Sequence, residues 1–394
     1  MLAASGIAAT AYEITGDEHL HWLALHLALL GGVSQLVIGA GQFFVCAFLA
    51  TTPPSRRMVA TQLAVWNIAT VLVAIGVVTV VHPLVDTGGI LVVAGLVLFG
   101  LSLRGMQTRS LQRARWAVRW YQGSAGCLGL GVLMGVLLAR GVTWPHGSLL
   151  GAHLALNLAG WLGTAIVGTL HTFFPSLTGT RLCFPRLQGP TLILWLLGVV
   201  TLALGMAFAT DPLAILGWVM LTVAAGLLVV NLAASLHTRT ITLSLPARLI
   251  TLAQALLPAG LVLALIATLI DGTAGPSGPG VRPVLSVLLL AGWIGLTVSG
   301  ALLHLLAVLA RVRHLTLAMP APRPIRDRAV TALAALAIAS WALANVSDLP
   351  LDQPAFVLRT ATTLVIAARV VTLAAQVARP RARLGADGSP TQAH

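Results

Sequence analysis

Long apolar runs, separated by short polar segments, fill almost the whole chain. Eleven runs have the length of about 20 residues that crosses a bilayer as a helix. They lie near residues 20–50, 59–81, 88–104, 120–139, 148–177, 190–209, 212–236, 246–270, 283–310, 329–346 and 355–378. The pattern predicts an all-α, polytopic membrane helix bundle that forms a single transmembrane domain over residues 1–394, with a disordered cytoplasmic tail at 381–394.

The composition agrees with a protein that has the lipid bilayer as its main partner. Hydrophobic residues make up 58% of the chain and charged residues only 8%, whereas soluble domains have about 25% charged residues. The net charge of +13 comes from arginines in the loops between apolar runs. We therefore attribute the basic charge to membrane topology and expect no nucleic-acid partner.

The arginines also predict the orientation. All but four of the 23 basic residues fall on one side of the predicted spans, 23 − 4 = 19, whereas most acidic residues fall on the other side. The exceptions among the arginines are Arg140, Arg282, Arg359 and Arg369. By the positive-inside rule, the N-terminus lies outside and the C-terminus lies in the cytoplasm of a bacterial-type plasma membrane. We expect no cleaved signal peptide, because residues 1–22 lack a basic and a long apolar region.

The fifth predicted span carries polar side chains that hydrocarbon normally rejects. At about 100° per residue, these polar residues and several small residues share one helical face. They are His153, Asn157, Gly160, Thr164, Gly168 and His171. His153 and His171 are 18 positions apart, or about 27 Å along a helix, so they cannot share one metal.

A repeated sequence motif predicts internal symmetry. The sequence AGWLGTAIVGTLH at 159–171 returns as AGWIGLTVSGALLH at 291–304, an offset of 132 residues. His26 opens a weaker third copy. We predict three repeat blocks, at about 1–140, 141–275 and 276–380, each opened by the first, fifth or ninth span.

Matched depth makes the histidines of these spans candidate cofactor ligands. His26 and His153 form a predicted outer layer, and His171 and His304 form an inner layer. A neutral imidazole in a dry site suits haem iron and also copper. The alternative for each one is a simple hydrogen bond to a carbonyl or a helix cap. A b-type haem, alone or with copper, is the predicted cofactor, with Asn157 on the same helix face as a further candidate.

Three other residues are candidates with weaker support. His19 and His21 precede the first span as an H-x-H pair that could bind copper with Glu18, although a polar cap at the interface is the favoured interpretation. Arg369 lies mid-span, where a bare guanidinium costs several kcal/mol. We expect its partner to be backbone, water or an anionic ligand such as a haem propionate.

Residues 160–175, GWLGTAIVGTLHTFFP, resemble a helix of the catalytic subunit in the heme-copper oxidase superfamily, in particular its cb-type oxidase and nitric oxide reductase branches. His26, followed by glycines 39 and 41 and by Phe43-Phe44, resembles the low-spin-haem helix of that family. In length and sequence motifs the chain resembles NnrS-like proteins more closely. These are membrane haem and copper proteins linked to nitric oxide metabolism.

The resemblance implies three arcs of four helices in pseudo-threefold symmetry, here without the first helix, and haem ligation by His26 and His153. The chain departs from the oxidases in several respects. The sixth span lacks the paired histidines of their copper centre. The sequence contains no lysine, no carboxylate is expected inside a span, and Tyr12 and Tyr121 are the only tyrosines. Proton-pumping oxygen reduction is therefore not expected.

Three functional hypotheses follow. The first is a haem-binding protein, with or without copper, that transfers electrons or handles nitric oxide or oxygen, as an oxidoreductase or as a binding protein. Its electron donor would be a quinol or another respiratory component. The second is a cofactor-free transporter of a metal ion or small solute. The third is a structural or assembly partner of a respiratory complex.

Overall fold

The computed structural model describes residues 1–110, 115–314, 323–346 and 349–379, and every regular element in these ranges is helical. Within these described ranges, eleven helices are long and apolar enough to cross a membrane. In chain order these spans are Glu18–Phe48, Arg56–Val78, His82–Arg109, Trp116–Ala139, Leu149–Thr178, Pro185–Ala207, Asp211–His237, Leu245–Ser277, Val281–Arg313, Pro324–Ala344 and Asp352–Ala378. The predicted all-α membrane bundle with eleven spans is confirmed, and the predicted tail at 381–394 lies outside the described residues.

Polar side chains fix the starts of several spans. Asp17, Ser55 and Ser148 each accept a hydrogen bond from a backbone N–H two or three residues further on, at 2.9–3.2 Å. Such residues satisfy the N–H groups that a helix start leaves unpaired. The cap residues explain why the first, second and fifth spans begin where they do.

A further helix, Leu2–Thr15, precedes the first span and was not predicted from the sequence. It ends at Gly16, whose φ of 70° is the left-handed conformation that glycine adopts without strain. The Ser5 hydroxyl donates to the Ala24 carbonyl at 2.8 Å, which attaches this helix to the first span. With 14 residues it is too short to cross a bilayer.

Three spans contain π-helical segments, in which the backbone hydrogen bonds reach back five residues instead of four. The segments are Leu27–Val33 in the first span, Ala155–Gly163 in the fifth and Ser286–Gly295 in the ninth. These are the three spans that the predicted repeat places at the head of its blocks. The three-block division itself stays a prediction.

The described chain divides into two compact units. The first unit comprises Met1–Pro175, Arg181–His237 and Leu261–Gly278. Neighbouring spans in it pack closely through glycines: a side chain at Gly88 would meet Val73, and one at Gly217 would meet Leu202. Small residues allow such close approach of membrane helices.

The second unit comprises Ser176–Thr180, Thr238–Gly260 and the described residues from Pro279 onwards. Its eighth and ninth spans share a buried polar contact. The Trp293 indole N–H donates to Gln254 Oε1 at 3.2 Å, and Gln254 Nε2 donates to the Thr297 hydroxyl at 3.1 Å. Gly300 packs on Ile250 in the same interface.

A candidate cofactor site between the first and fifth spans

His26 and His153 lie next to each other in the first unit. Their ring centroids are 6.4 Å apart, and the ring planes differ by 28°. Each histidine lies at the start of a π segment, since Leu27 follows His26 directly and Ala155 is two residues after His153. The structure thus brings together the two residues that the sequence placed at one depth.

The two spans run parallel and in register over their length. His26 lies next to His153, Trp161 hydrogen-bonds Ser34, and Phe44 packs on Phe173 with ring centroids 5.0 Å apart. The sequence offsets of these three contacts are nearly constant: 153 − 26 = 127, 161 − 34 = 127 and 173 − 44 = 129. A constant offset requires equal rise and equal direction along both helices.

Hydrogen bonds fix the proton on each imidazole. His26 Nδ1 donates to the Trp22 carbonyl at 2.9 Å, and His153 Nδ1 donates to the Gly131 carbonyl at 3.0 Å. Because a carbonyl oxygen only accepts, Nδ1 must carry the hydrogen in both rings. Each Nε2 therefore has a lone pair for a ligand, which is the tautomer that metal-binding histidines adopt.

Neighbouring residues hold the two rings in place. Trp22 stacks on His26 with ring centroids 3.9 Å apart. Asn157 Nδ2 donates to the His153 carbonyl at 2.7 Å and lies 3.2 Å from His153 Nδ1. Gly135 leaves room for His153, because a Cβ there would lie 3.0 Å from His153 Cε1. Asn157, a predicted cofactor contact, here supports the backbone and ring of His153.

Two imidazoles at this spacing could serve together as ligands of one haem. Nitrogen ligands bind a metal at about 2.0–2.1 Å, so two imidazoles on opposite sides of one metal have ring centres about 6 Å apart. The observed 6.4 Å agrees with that spacing. Haem needs only axial ligands from the protein, whereas zinc and copper sites use three or four. No group of three or more His, Cys, Asp or Glu that could hold a metal occurs among the described residues.

The ninth span has a π segment but no histidine at the position that corresponds to His153. Adding the repeat offset to the position of His153 gives 153 + 132 = 285, and residue 285 is a leucine at the start of the third π segment. The π segment is thus kept without a ligand. Among the described residues, a π segment with a histidine at its start occurs in the first and fifth spans alone.

His171, predicted as an inner-layer ligand, is 1% exposed and enclosed. Its Nδ1 donates to the Val167 carbonyl at 2.8 Å, its ring stacks on Trp120 at 5.5 Å, and its Nε2 has no hydrogen-bond partner. The ring and its Nε2 are closed off from solvent. His304 lies half-buried on the ninth span in the second unit, and the predicted inner layer stays a prediction.

The H-x-H pair contacts other side chains. His19 Nδ1 lies 3.2 Å from Asp17 Oδ1, and the His21 ring lies 4.8 Å from the Tyr12 ring. Both histidines are exposed. These contacts agree with a polar cap at the interface, the interpretation favoured above over a copper site.

The prediction that Arg369 pairs with backbone, water or an anionic ligand was wrong. Arg369 Nη1 lies 3.7 Å from Asp327 Oδ1 within the second unit. Asp327 was assigned to a loop, but it lies in the first turn of the tenth span and is 4% exposed. An acidic side chain was therefore available inside a span, and Arg369 does not require a haem propionate.

Sequence reasoning missed residues around the pair, among them Trp22, Ser34 and Gly131. One signal was present: Ser34 follows His26 by eight positions, and Trp161 follows His153 by eight positions. Equal spacing on two helices of equal direction predicts a second contact two turns beyond the histidines. Gly131 had no comparable signal, since it lies on the fourth span.

No protein-family model matches this chain, and no curated protein matches it.

Proposed function

We propose that this chain is a membrane protein that binds one b-type haem between His26 and His153 and that it resembles the heme-copper oxidase and NnrS-like proteins in function. The observation that carries the proposal is the adjacent pair on two parallel spans, with rings 6.4 Å apart and both Nδ1 atoms bonded to carbonyls. Matched depth, correct tautomer and suitable spacing are three independent requirements for a shared axial-ligand pair.

Electron transfer is the activity that this ligand set favours. A haem held by both His26 and His153 would supply one-electron iron chemistry, and with both histidines engaged it would favour electron transfer over gas binding. The Nδ1–H bonds to Trp22 and Gly131 would orient the rings and raise the basicity of Nε2. Handling of nitric oxide or oxygen would require one histidine to leave the iron.

The chain's own residues would keep the site dry and uncharged. Trp22 covers one face of His26, and Leu27 and Ala155, both buried, follow the histidines in the π segments. Among the described residues, the nearest acidic positions in sequence to the pair are Asp17 and Glu18, which are exposed at the start of the first span. A neutral surrounding favours neutral imidazole, which is the form that binds metal.

We place the pair in the outer half of a bacterial-type plasma membrane, with the N-terminus outside and the C-terminus in the cytoplasm. The arginine asymmetry of the loops supports this orientation. A quinol or another respiratory electron donor would then be the natural partner. A quinol dissolves in the lipid phase that surrounds the spans.

Absorption spectra of the purified protein test the proposal. We expect sharp, split visible bands on reduction, as for low-spin bis-histidine haem. His26→Ala and His153→Ala should each lose these bands, whereas His82→Ala, at the start of the third span, should keep them. If the wild type has no haem spectrum after expression with adequate haem supply, the haem proposal is wrong and the transporter hypothesis replaces it.

A further inference from the structure

Directly beyond the histidine pair, a hydrogen-bonded chain joins the two spans. The Trp161 indole N–H donates to the Ser34 hydroxyl at 2.8 Å, and that hydroxyl donates to the Leu29 carbonyl at 2.7 Å. Ser34 is 1% exposed and Trp161 is 2% exposed. The fifth span is thus attached to the last turn of the π segment of the first span.

A second indole satisfies the carbonyl that the π segment displaces. The Ser34 N–H reaches back five residues to the Leu29 carbonyl, so the Leu30 carbonyl loses the amide that it would have in an α-helix. The Trp66 indole N–H donates to the Leu30 carbonyl at 2.8 Å. Trp66 is 1% exposed and lies nearly parallel to Trp161, with ring centroids 6.5 Å apart.

The fifth span has a related contact, but there the tryptophan binds a carbonyl that already accepts an amide. There the Ala159 carbonyl accepts the Thr164 N–H, five residues further on, and also the indole N–H of Trp195 at 2.9 Å. Trp195 is fully buried on the sixth span. In both histidine-bearing spans, therefore, a tryptophan of the next span in the chain binds a carbonyl in the π segment.

We infer that Trp66, Trp161 and Ser34, which together we name the indole clamp, are positioning residues that keep the π segments formed and so hold His26 and His153 next to each other. An unpaired carbonyl in hydrocarbon raises the free energy of the π segment. Without the clamp, the first span would therefore lower its free energy by returning to α-helical bonding. That change shifts the helix register by one residue, or about 100°, between His26 and the rest of the span. The inference rests on the proposed haem function, since it assigns the clamp a role in the ligand geometry.

The experiment compares Trp66→Phe and Ser34→Ala with Trp144→Phe. The first variant keeps an aromatic ring but removes the N–H to Leu30, and the second removes the link to Trp161. Trp144 is a matched control, because its indole N–H also donates to a carbonyl, that of Ala207 at 2.6 Å, away from the π segments. Hydrogen exchange of amides 27–36 is measured in haem-free protein, and spin state and midpoint potential are measured in haem-loaded protein.

For Trp66→Phe we expect roughly 5- to 30-fold faster exchange at 27–36, the factor for one lost buried hydrogen bond. In the loaded protein it should show a high-spin fraction and a shifted potential. Ser34→Ala should change both measurements in the same direction, and Trp144→Phe should change neither. Should Trp66→Phe fail to fold, Ser34→Ala, which keeps every ring, decides the result.

The contrary results are distinguishable from one another. If the wild type binds haem and both clamp variants match it in exchange, spin state and potential, the clamp inference is overturned and the haem proposal stands. Faster exchange with an unchanged haem signal shows that the clamp has a structural role only and also overturns the inference. A wild type without haem overturns the positioning role together with the proposed function.

Discussion

At the scale of single residues, the two histidines could be predicted from residue type and depth, but only one of their two hydrogen bonds to carbonyls could. His26 bonds a carbonyl four residues earlier in its own helix, which counting can find. His153 instead bonds Gly131, on a different span. The sequence does not indicate which face of the fourth span packs on the fifth. The Gly131 partner of His153 could therefore not be predicted from it.

Arg369 shows the opposite failure, where counting positions gave a wrong answer. Its place in the last span was predicted correctly, but Asp327 was assigned to a loop because the predicted tenth span began only near residue 329. The tenth span in fact begins at Pro324, earlier than its hydropathy indicates, and Asp327 is buried there. Proline suits the first turn of a helix, and this signal was overlooked.

Removing the Asp327 charge should destabilise the protein. Asp327→Asn leaves Arg369 in a span with a weaker partner, and leaving a buried polar group unsatisfied costs about 1–3 kcal/mol or more. We expect a lower midpoint of thermal unfolding in detergent, with the haem spectrum unchanged because the ion pair belongs to the second unit.

Asp352→Asn is the control, since Asp352 is exposed in the first turn of the last span. It should leave the unfolding midpoint almost unchanged. A double variant, Asp327→Asn with Arg369→Gln, should recover part of the loss because no charge remains buried. An Asp327→Asn protein as stable as the wild type would show that the ion pair has no structural value.

At the scale of elements, the polar stripe of the fifth span was predicted well. Asn157 lies against Gly131, Gly160 against Cys127, and Gly168 against Trp120, so these stripe residues face the fourth span. Helical periodicity alone was enough to predict the shared face. The π segments could not be predicted, because no residue type marks them and the tryptophans that stabilise two of them lie on other spans.

Among small changes at the interface of the fourth and fifth spans, Gly168→Ala should destabilise the protein most. In Gly168→Ala the new Cβ would overlap Trp120 Cβ and Cγ, which lie too near the backbone to move away easily. We expect destabilisation of about 1–3 kcal/mol, as for other overpacked cores. The measurement is thermal unfolding of the haem-free protein in detergent.

Gly129→Ala provides the matched control for this interface. Gly129 lies on the fourth span, and a Cβ added there would meet no described atom within 4 Å outside its own helix and chain neighbours. Alanine there should be neutral or should stabilise the helix by about 1 kcal/mol. Equal stability of the two alanine variants would contradict the close fourth-to-fifth span packing.

At the scale of the whole molecule, hydropathy was sufficient for the number and order of the spans, because a bilayer admits only long apolar helices here. It was insufficient for the helix Leu2–Thr15, which is too short to register as a span. The division into two units was also not predicted. It depends on which spans pack together, and this is set by side-chain fit rather than by hydropathy.

The predicted orientation can be tested by cysteine labelling. In a Cys183→Ser background, which removes the exposed native thiol, single cysteines are introduced at Ser277 and Gln107, both exposed. A membrane-impermeant maleimide added to intact cells should label Ser277→Cys, because its loop lies on the arginine-poor side. Gln107→Cys, beside the arginine-rich segment, should react only after permeabilisation. The reverse pattern would contradict the orientation.

The central claim is that one iron is shared by His26 and His153, and its most direct test is the haem content and spin state of single-histidine variants. The adjacent rings, 6.4 Å apart, predict one low-spin haem per chain. Removal of either histidine should therefore abolish the entire low-spin signal, leaving high-spin haem or none. If His26→Ala or His153→Ala retains about half of a two-haem low-spin signal, each histidine holds its own haem, and the shared site is contradicted.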